Sequence, residues 1–279
     1  MLDQLSGLGL SVAVHETIAH CQKKLEGRPQ PWAHLDYLGI GVTSHDVITP
    51  ELVTRMRDAK LAPAVHLLEV NLVRPLAQQR AVVDTLLRLV EQLEPACVEE
   101  DIGFWQWGTT ELEQHMLPPI FDEETADIVA KNVAELQKSA GVPFYAENPP
   151  VHCDLGTLDL LAFMEHVAEA SGCKLVLDIG HLVGYCAITD REPDEYLRQW
   201  KGIQHVRELH VAGYTLSPDS TSPMWFDDHA EAITDYSLDL IQLVLELAGR
   251  ALPITLEQEG AKLVRVQDHI TRVSRRFFS

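Results

Sequence analysis

Eight short apolar segments alternating with longer amphipathic ones predict an α/β fold, a single (β/α)8 TIM barrel. Three observations carry that expectation. Several of the short segments are rich in Val, Ile and Leu with little polar alternation, as parallel strands covered on both faces are. The stretches between them carry helix start and stop signals. And 279 residues, 46% of them hydrophobic, suit one barrel, with no Pro/Ser/Gly-rich linker dividing residues 1–279. A doubly wound open sheet is the alternative.

In chain order, strands are expected at GLGLSVAV (7–14), YLGIGV (37–42), PAVHLLEV (63–70), ACVEEDIGF (96–104), PFYAEN (143–148), KLVLDIG (174–180), VRELHVAG (206–213) and PITLEQE (253–259). Helices are expected at 122–141, acidic at its start and closed by Gly141 before Pro143, at 157–172, from Thr157 to Gly172, and at 237–250, from Ser237. Two long connections, 105–121 and 214–226, follow strand C-termini and mix aromatics with turn residues. Loops at that end of a barrel shape the substrate site.

Composition narrows the function. The formal charge is -20, from 42 acids against 22 bases. A surface so acidic repels phosphate backbones, which argues against a nucleic-acid partner. No apolar run approaches the roughly 20 residues that span a bilayer, so no membrane role is expected. The opening MLDQLSGLGL holds Asp3 and no basic segment, against a secretory signal. The five cysteines (Cys21, Cys97, Cys153, Cys173, Cys186) are odd in number and form no CxxC pair, which points to a reducing cytoplasm and small packed residues. Arg272, Arg275 and Arg276 read as a solvated helix end favoured by the dipole.

Where the strands end, ligand-type residues accumulate. Strand three carries His66. Strand four carries Glu99, Glu100 and Asp101, and strand five ends in Glu147. Strand six ends in Asp178 and His181, strand seven carries Glu208 and His210, the following loop holds Asp227, Asp228 and His229, and strand eight carries Glu257 and Glu259. One such acid alone reads as a helix cap, and one such histidine as a satisfied core residue. Six successive strands ending this way need a cation, because clustered carboxylates resist desolvation. Interleaved imidazoles and carboxylates suit Fe, Mn or Zn, and eight to ten candidates suit two or three ions. Asp178 and Glu208 are also placed to orient a ligating imidazole. Trp105, Trp107, Trp225 and Phe226 are candidates to line the mouth. Cys153, after ENPP, reads as a packed residue, and His15 and His45 as loop residues.

The ordered motifs ENP (147–149), LDIGH (177–181), ELHVAG (208–213), WFDDH (225–229) and TLEQE (255–259) resemble the multinuclear non-haem iron-dependent oxidases. These are xylose-isomerase-like barrels that include the methanobactin-biosynthesis oxidase, and GLGL (7–10) fits their opening strand. The resemblance implies two or three irons (Fe2+/Fe3+), O2 as cosubstrate, a ribosomally made peptide substrate modified at cysteine, and a leader-binding partner protein. It implies His66, Glu147, Asp178, His181, His210, Asp227, His229 and Glu257 as iron ligands. The family has Glu-His at the end of strand four, where this chain reads Glu100-Asp101, and Asn-Asn after the strand-six Asp, where it reads Gly180-His181. An Asp for a His, offset by a His for an Asn, keeps the ligand count and adds Glu100 and Asp101 to the candidates.

The rival readings are a Mn-, Mg- or Zn-dependent sugar isomerase or epimerase on the same barrel, a zinc-dependent abasic-site endonuclease, and a binding scaffold. The sugar enzymes use a Lys or Arg at the sugar oxygens, for which Lys174 and Lys201 are poorly placed. The acidic charge opposes the endonuclease, and the retained ligand set opposes the scaffold.

Overall fold

The computed structural model describes residues 5–26, 31–107, 110–112, 116–216 and 225–279. Strands β1 (Leu8–Ala13), β2 (Leu35–Val42), β3 (Ala62–Leu67), β4 (Val98–Asp101), β5 (Phe144–Glu147), β6 (Lys174–Asp178), β7 (Val206–Val211) and β8 (Ile254–Leu256) form a closed parallel barrel in chain order. Closure is made by β1, which sets Leu8 beside both Ile254 of β8 and Leu35 of β2. That excludes the open sheet.

Around it lie α1 (Thr17–Leu25), α2 (Pro50–Ala59), α3 (Arg80–Leu93), α4 (Glu123–Ala140), α5 (Leu160–Ser171), α6 (Ile179–Thr189), α7 (Pro193–Gln199), α8 (Asp235–Ala248) and α9 (Leu263–Phe277). Side-chain caps set several starts, each accepting an otherwise orphan amide: Thr49 for α2, Asp122 for α4, Asp159 for α5 and Thr234 for α8. The last two differ from expectation. Asp159 rather than Thr157 starts α5, and Thr234 starts α8 ahead of Ser237. Gly141 and Gly172 close α4 and α5 in left-handed conformation, as their positions in the sequence predict.

A larger difference concerns 174–180, expected as strand throughout. The strand stops at Asp178, whose carboxylate accepts from the His181 amide at 2.5 Å and caps α6. Helix α6 is buried at every position from Ile179 to Cys186, so it has no polar face to give a helical period. His181 therefore sits in a helix's first turn.

The long connections each form a small antiparallel hairpin, Gln106–Trp107 with Thr110–Glu111, and Tyr214–Leu216 with Trp225–Asp227. The Trp107 side chain lies outside the described residues. At the end of α9, Arg272 bonds to Asp235 and Arg276 to Asp239 (2.6 Å) on α8, so two of the three basic residues pair across helices. Cys21, Cys97, Cys173 and Cys186 are buried as expected, but Cys153 is exposed. Among the described residues no helix is long and apolar enough to cross a membrane.

Candidate metal centre

Strand register assembles the site. Side chains alternate sides along a strand, so Glu99 and Asp101 of β4 point one way and Glu100 the other. Parallel pairing sets Asp101 beside Glu147 and Asp178 beside His210. The strands' C-terminal ends thus bring carboxylates and imidazoles from β3 to β8 into one group. Asn148 fastens the β5–β6 join by donating to the Asp178 carbonyl at 3.0 Å and accepting from the Asp178 amide at 2.8 Å.

Glu147 is the hub. Its carboxylate lies within reach of a common ion with His66 and Asp101, with Asp178 and His181, and with His210 and Glu257. His66 Nε2 lies 3.3 Å from Glu147 and 3.5 Å from Asp101. His210 Nδ1 lies 3.1 Å from Glu147 and 3.3 Å from Glu257. A further group forms toward solvent, where Asp227 Oδ2 lies 3.3 Å from His181 Nε2 and 2.9 Å from His229 Nε2. The remaining nitrogens of these two rings are held from behind: His181 Nδ1 by the Asn148 carbonyl at 2.8 Å, and His229 Nδ1 by Glu259 at 2.7 Å. An imidazole fixed at one nitrogen presents the other to a metal.

The electrostatics tie these groups to one another. Burial would strip the proton from His66, His181, His210 and His229, but the carboxylates packed against them raise their pKa well above the ordinary histidine value. Against burial, His210 and His66 hold Glu147 low, and His229 and His181 hold Asp227 low. Asp178 is pushed up to about 8 by burial, with Glu257, Glu147 and Asp227 adding to the rise and His181 opposing it. The raised imidazoles thus offset the lowered carboxylates, a balance that divalent cations would take over. Even so, His66 Nε2, Asp101 Oδ1, Glu147 Oε2, Asp178 Oδ2, Asp227 Oδ1 and both His210 nitrogens are buried without a hydrogen-bond partner. Buried polar atoms are seldom left so, and these fit metal ligation.

Nine of the ten sequence-predicted ligands meet here. Glu100 does not. Its two oxygens accept from the Val70 amide at 3.1 Å and from Trp105 Nε1 at 2.9 Å, so it fastens two loops on the outer side of β4. Trp225 also differs from expectation: it is 1% exposed and stands edge-on behind His181, with ring centroids 6.1 Å apart, while Phe226 is exposed. Trp105 is half-buried and tied to Glu100. The bracing roles of Asn148 and Glu259 went unassigned, although ENP and the second acid of EQE were visible signals. No lysine or arginine pairs with the group among the described residues, and Lys174 begins β6 at the far end from Asp178.

Residues 11–274 match the family model described as RiPP precursor modification enzyme MbnB/TglH/ChrH. The chain belongs to that family. Among curated relatives is the UPF0276 protein RB0508 of Rhizobium meliloti (strain 1021), 25% identical over 81% of this chain and 71% of that one. The UPF0276 protein VV3194 of Vibrio vulnificus (strain YJ016) is 24% identical over 53% of this chain and 51% of its own length. Solved structures share the fold. A xylose isomerase-like TIM barrel protein from Mycobacterium smegmatis, in complex with magnesium, has a TM-score of 0.60 at 17% identity, covering 95% of this chain and 90% of that one. D-psicose 3-epimerase in the presence of D-fructose has a TM-score of 0.59 at 12% identity, covering 97% and 99%.

Proposed function

We propose that this RiPP precursor modification enzyme is a multinuclear non-haem iron-dependent oxidase that uses O2 to modify a ribosomally made peptide at cysteine. The observation that carries the reading is the Glu147-centred group of carboxylates and imidazoles, whose buried, unpartnered atoms match the donors of two or three divalent ions. His66, Asp101 and Glu147 would hold one ion, Glu147, His210 and Glu257 a second, and Asp178, His181, Asp227 and His229 a third. Bound iron supplies one-electron chemistry with O2 and a Lewis-acidic seat for a thiolate.

The protein's own residues supply the rest. Glu259 and the Asn148 carbonyl fix the imidazole orientations. Trp225 excludes water from behind His181. Asp227, His229 and Glu259 are the partly exposed members, which makes their side the approach for a peptide. The reading carries a leader-binding partner protein and a cytoplasmic location with it.

The test is metal analysis of protein purified without oxygen, followed by O2 uptake with a cysteine-containing precursor peptide. Two or three irons at the mouth and peptide-dependent O2 consumption are expected. A single Mn, Zn or Mg, with no iron taken up on reconstitution and turnover of a sugar instead, would overturn the reading in favour of an isomerase.

A further inference from the structure

One layer deeper in the barrel, toward the N-terminal ends of the strands, lies a second group of donors. Cys97 and Glu99 reach it from β4 and its approach, and Glu208 from β7. All three are buried, at no more than 1% exposure, and their donor atoms lie within 4.8 Å of one another. Cys97 Sγ lies 3.1 Å from Glu99 Oε1. His210 closes the group from above: its Nε2 lies 3.5 Å from Glu99 Oε2 and 3.7 Å from Glu208 Oε1.

Hydrogen bonds within the protein leave this group incomplete. Tyr37 donates to Glu208 Oε1 at 2.8 Å and Thr255 at 2.6 Å, which uses one carboxylate oxygen twice. Glu208 Oε2 has no partner, and neither does His210 Nε2. Two carboxylates side by side are costly unless a proton or a cation is shared between them. A tetrahedral ion with bonds of about 2.0–2.3 Å separates its donors by about 3.3–3.8 Å, against 3.1–3.7 Å for the three donor pairs given above.

We propose that Cys97, Glu99, Glu208 and the Nε2 face of His210 form a separate, deeper divalent-cation site beneath the centre at the barrel mouth. A thiolate, two carboxylates and an imidazole suit a cation of borderline softness, Zn2+ or Fe2+, over Mg2+ or Ca2+. Binding expels the Cys97 thiol proton to solvent, and the sulfur becomes the ligand; where ions fill both sites, the remaining His210 ring proton leaves as well, so that the imidazolate serves both. His210 is then shared, its Nδ1 toward Glu147 and Glu257 and its Nε2 toward the deeper ion. The site does not depend on the oxidase reading.

The mouth offers nitrogen and oxygen donors, so sulfur ligation identifies the deeper site. The experiment loads the whole chain with Co2+ and records its near-ultraviolet thiolate-to-cobalt charge-transfer band together with cobalt per chain. The band is expected in wild type and in Cys153→Ser, and it is expected to vanish in Cys97→Ser with the loss of one ion per chain. Absence of the band from fully loaded wild type, or its survival in Cys97→Ser, overturns the proposal. If Cys97→Ser does not fold, Glu208→Gln decides: one cobalt fewer supports the site, and an unchanged count overturns it.

Discussion

The two sides of the metal centre differ in how they treat their own polar atoms. On the closed side, Asp101, Glu147, Asp178 and His210 have side chains no more than 7% exposed, and each keeps at least one buried atom without a partner. On the open side, Asp227, His229 and Glu259 are 23–35% exposed and bond to one another in a chain at 2.9 and 2.7 Å. The open side is largely satisfied by itself; the closed side is not. A cation is therefore part of the closed side's stability, whereas the open side can trade an ion's contacts for water or substrate.

That contrast breaks first at Glu147. Glu147→Gln weakens the donor shared by three groupings, so more than one ion should leave and turnover should fall by about 10²–10³-fold, since metals supply several kcal/mol. Metal analysis with single-turnover assays reads both, and an unchanged ion count would remove Glu147 from its role as hub. Glu259→Gln is the open-side counterpart. It should weaken one ion by about 10–100-fold and leave the others bound, as loss of an orienting partner does. Chelator titration separates one weakened ion from several.

Two smaller changes set the scale. A methyl group at Gly184 of α6 would meet the Trp225 ring at 2.5 Å. Gly184→Ala should cost about 1–3 kcal/mol through overpacking, seen as a lower Tm with the metal count kept. The least effect belongs to His20, remote from both sides, which accepts from Trp32 Nε1 at 2.9 Å. Burial, aided by Lys23 and opposed by Glu16, lowers its pKa to about 4. A folded-state value below the unfolded one gives stability that is present above about pH 6.5 and lost as pH falls toward 4. Denaturant titrations of wild type and His20→Gln should diverge above that window, by on the order of 1 kcal/mol, and converge below it.

Much of this was legible in the residues. Short segments, several of them rich in Val, Ile and Leu, marked all eight strands, and acids and histidines at their ends marked the mouth, because parallel strands deliver their C-termini to one place. The phase of β4 was hidden, since Glu99, Glu100 and Asp101 are all acidic and only the pleat separates the inner pair from Glu100. Helix α6 was hidden because burial on every side erases the helical period. Trp225 resembled a lining residue because its burial depends on the absence of a side chain at Gly184, which is distant in sequence. Contacts such as Asn148 to His181 exist only once the β5–β6 register is set.

Asp178 divides its two oxygens between tasks, one on the His181 amide as the start of α6 and the other unpartnered among the ligands. Ion occupancy should thereby be coupled to the seating of that helix. Deuterium uptake by the first-turn amides of α6 should slow as ions are added, so the backbone itself reports how full the centre is.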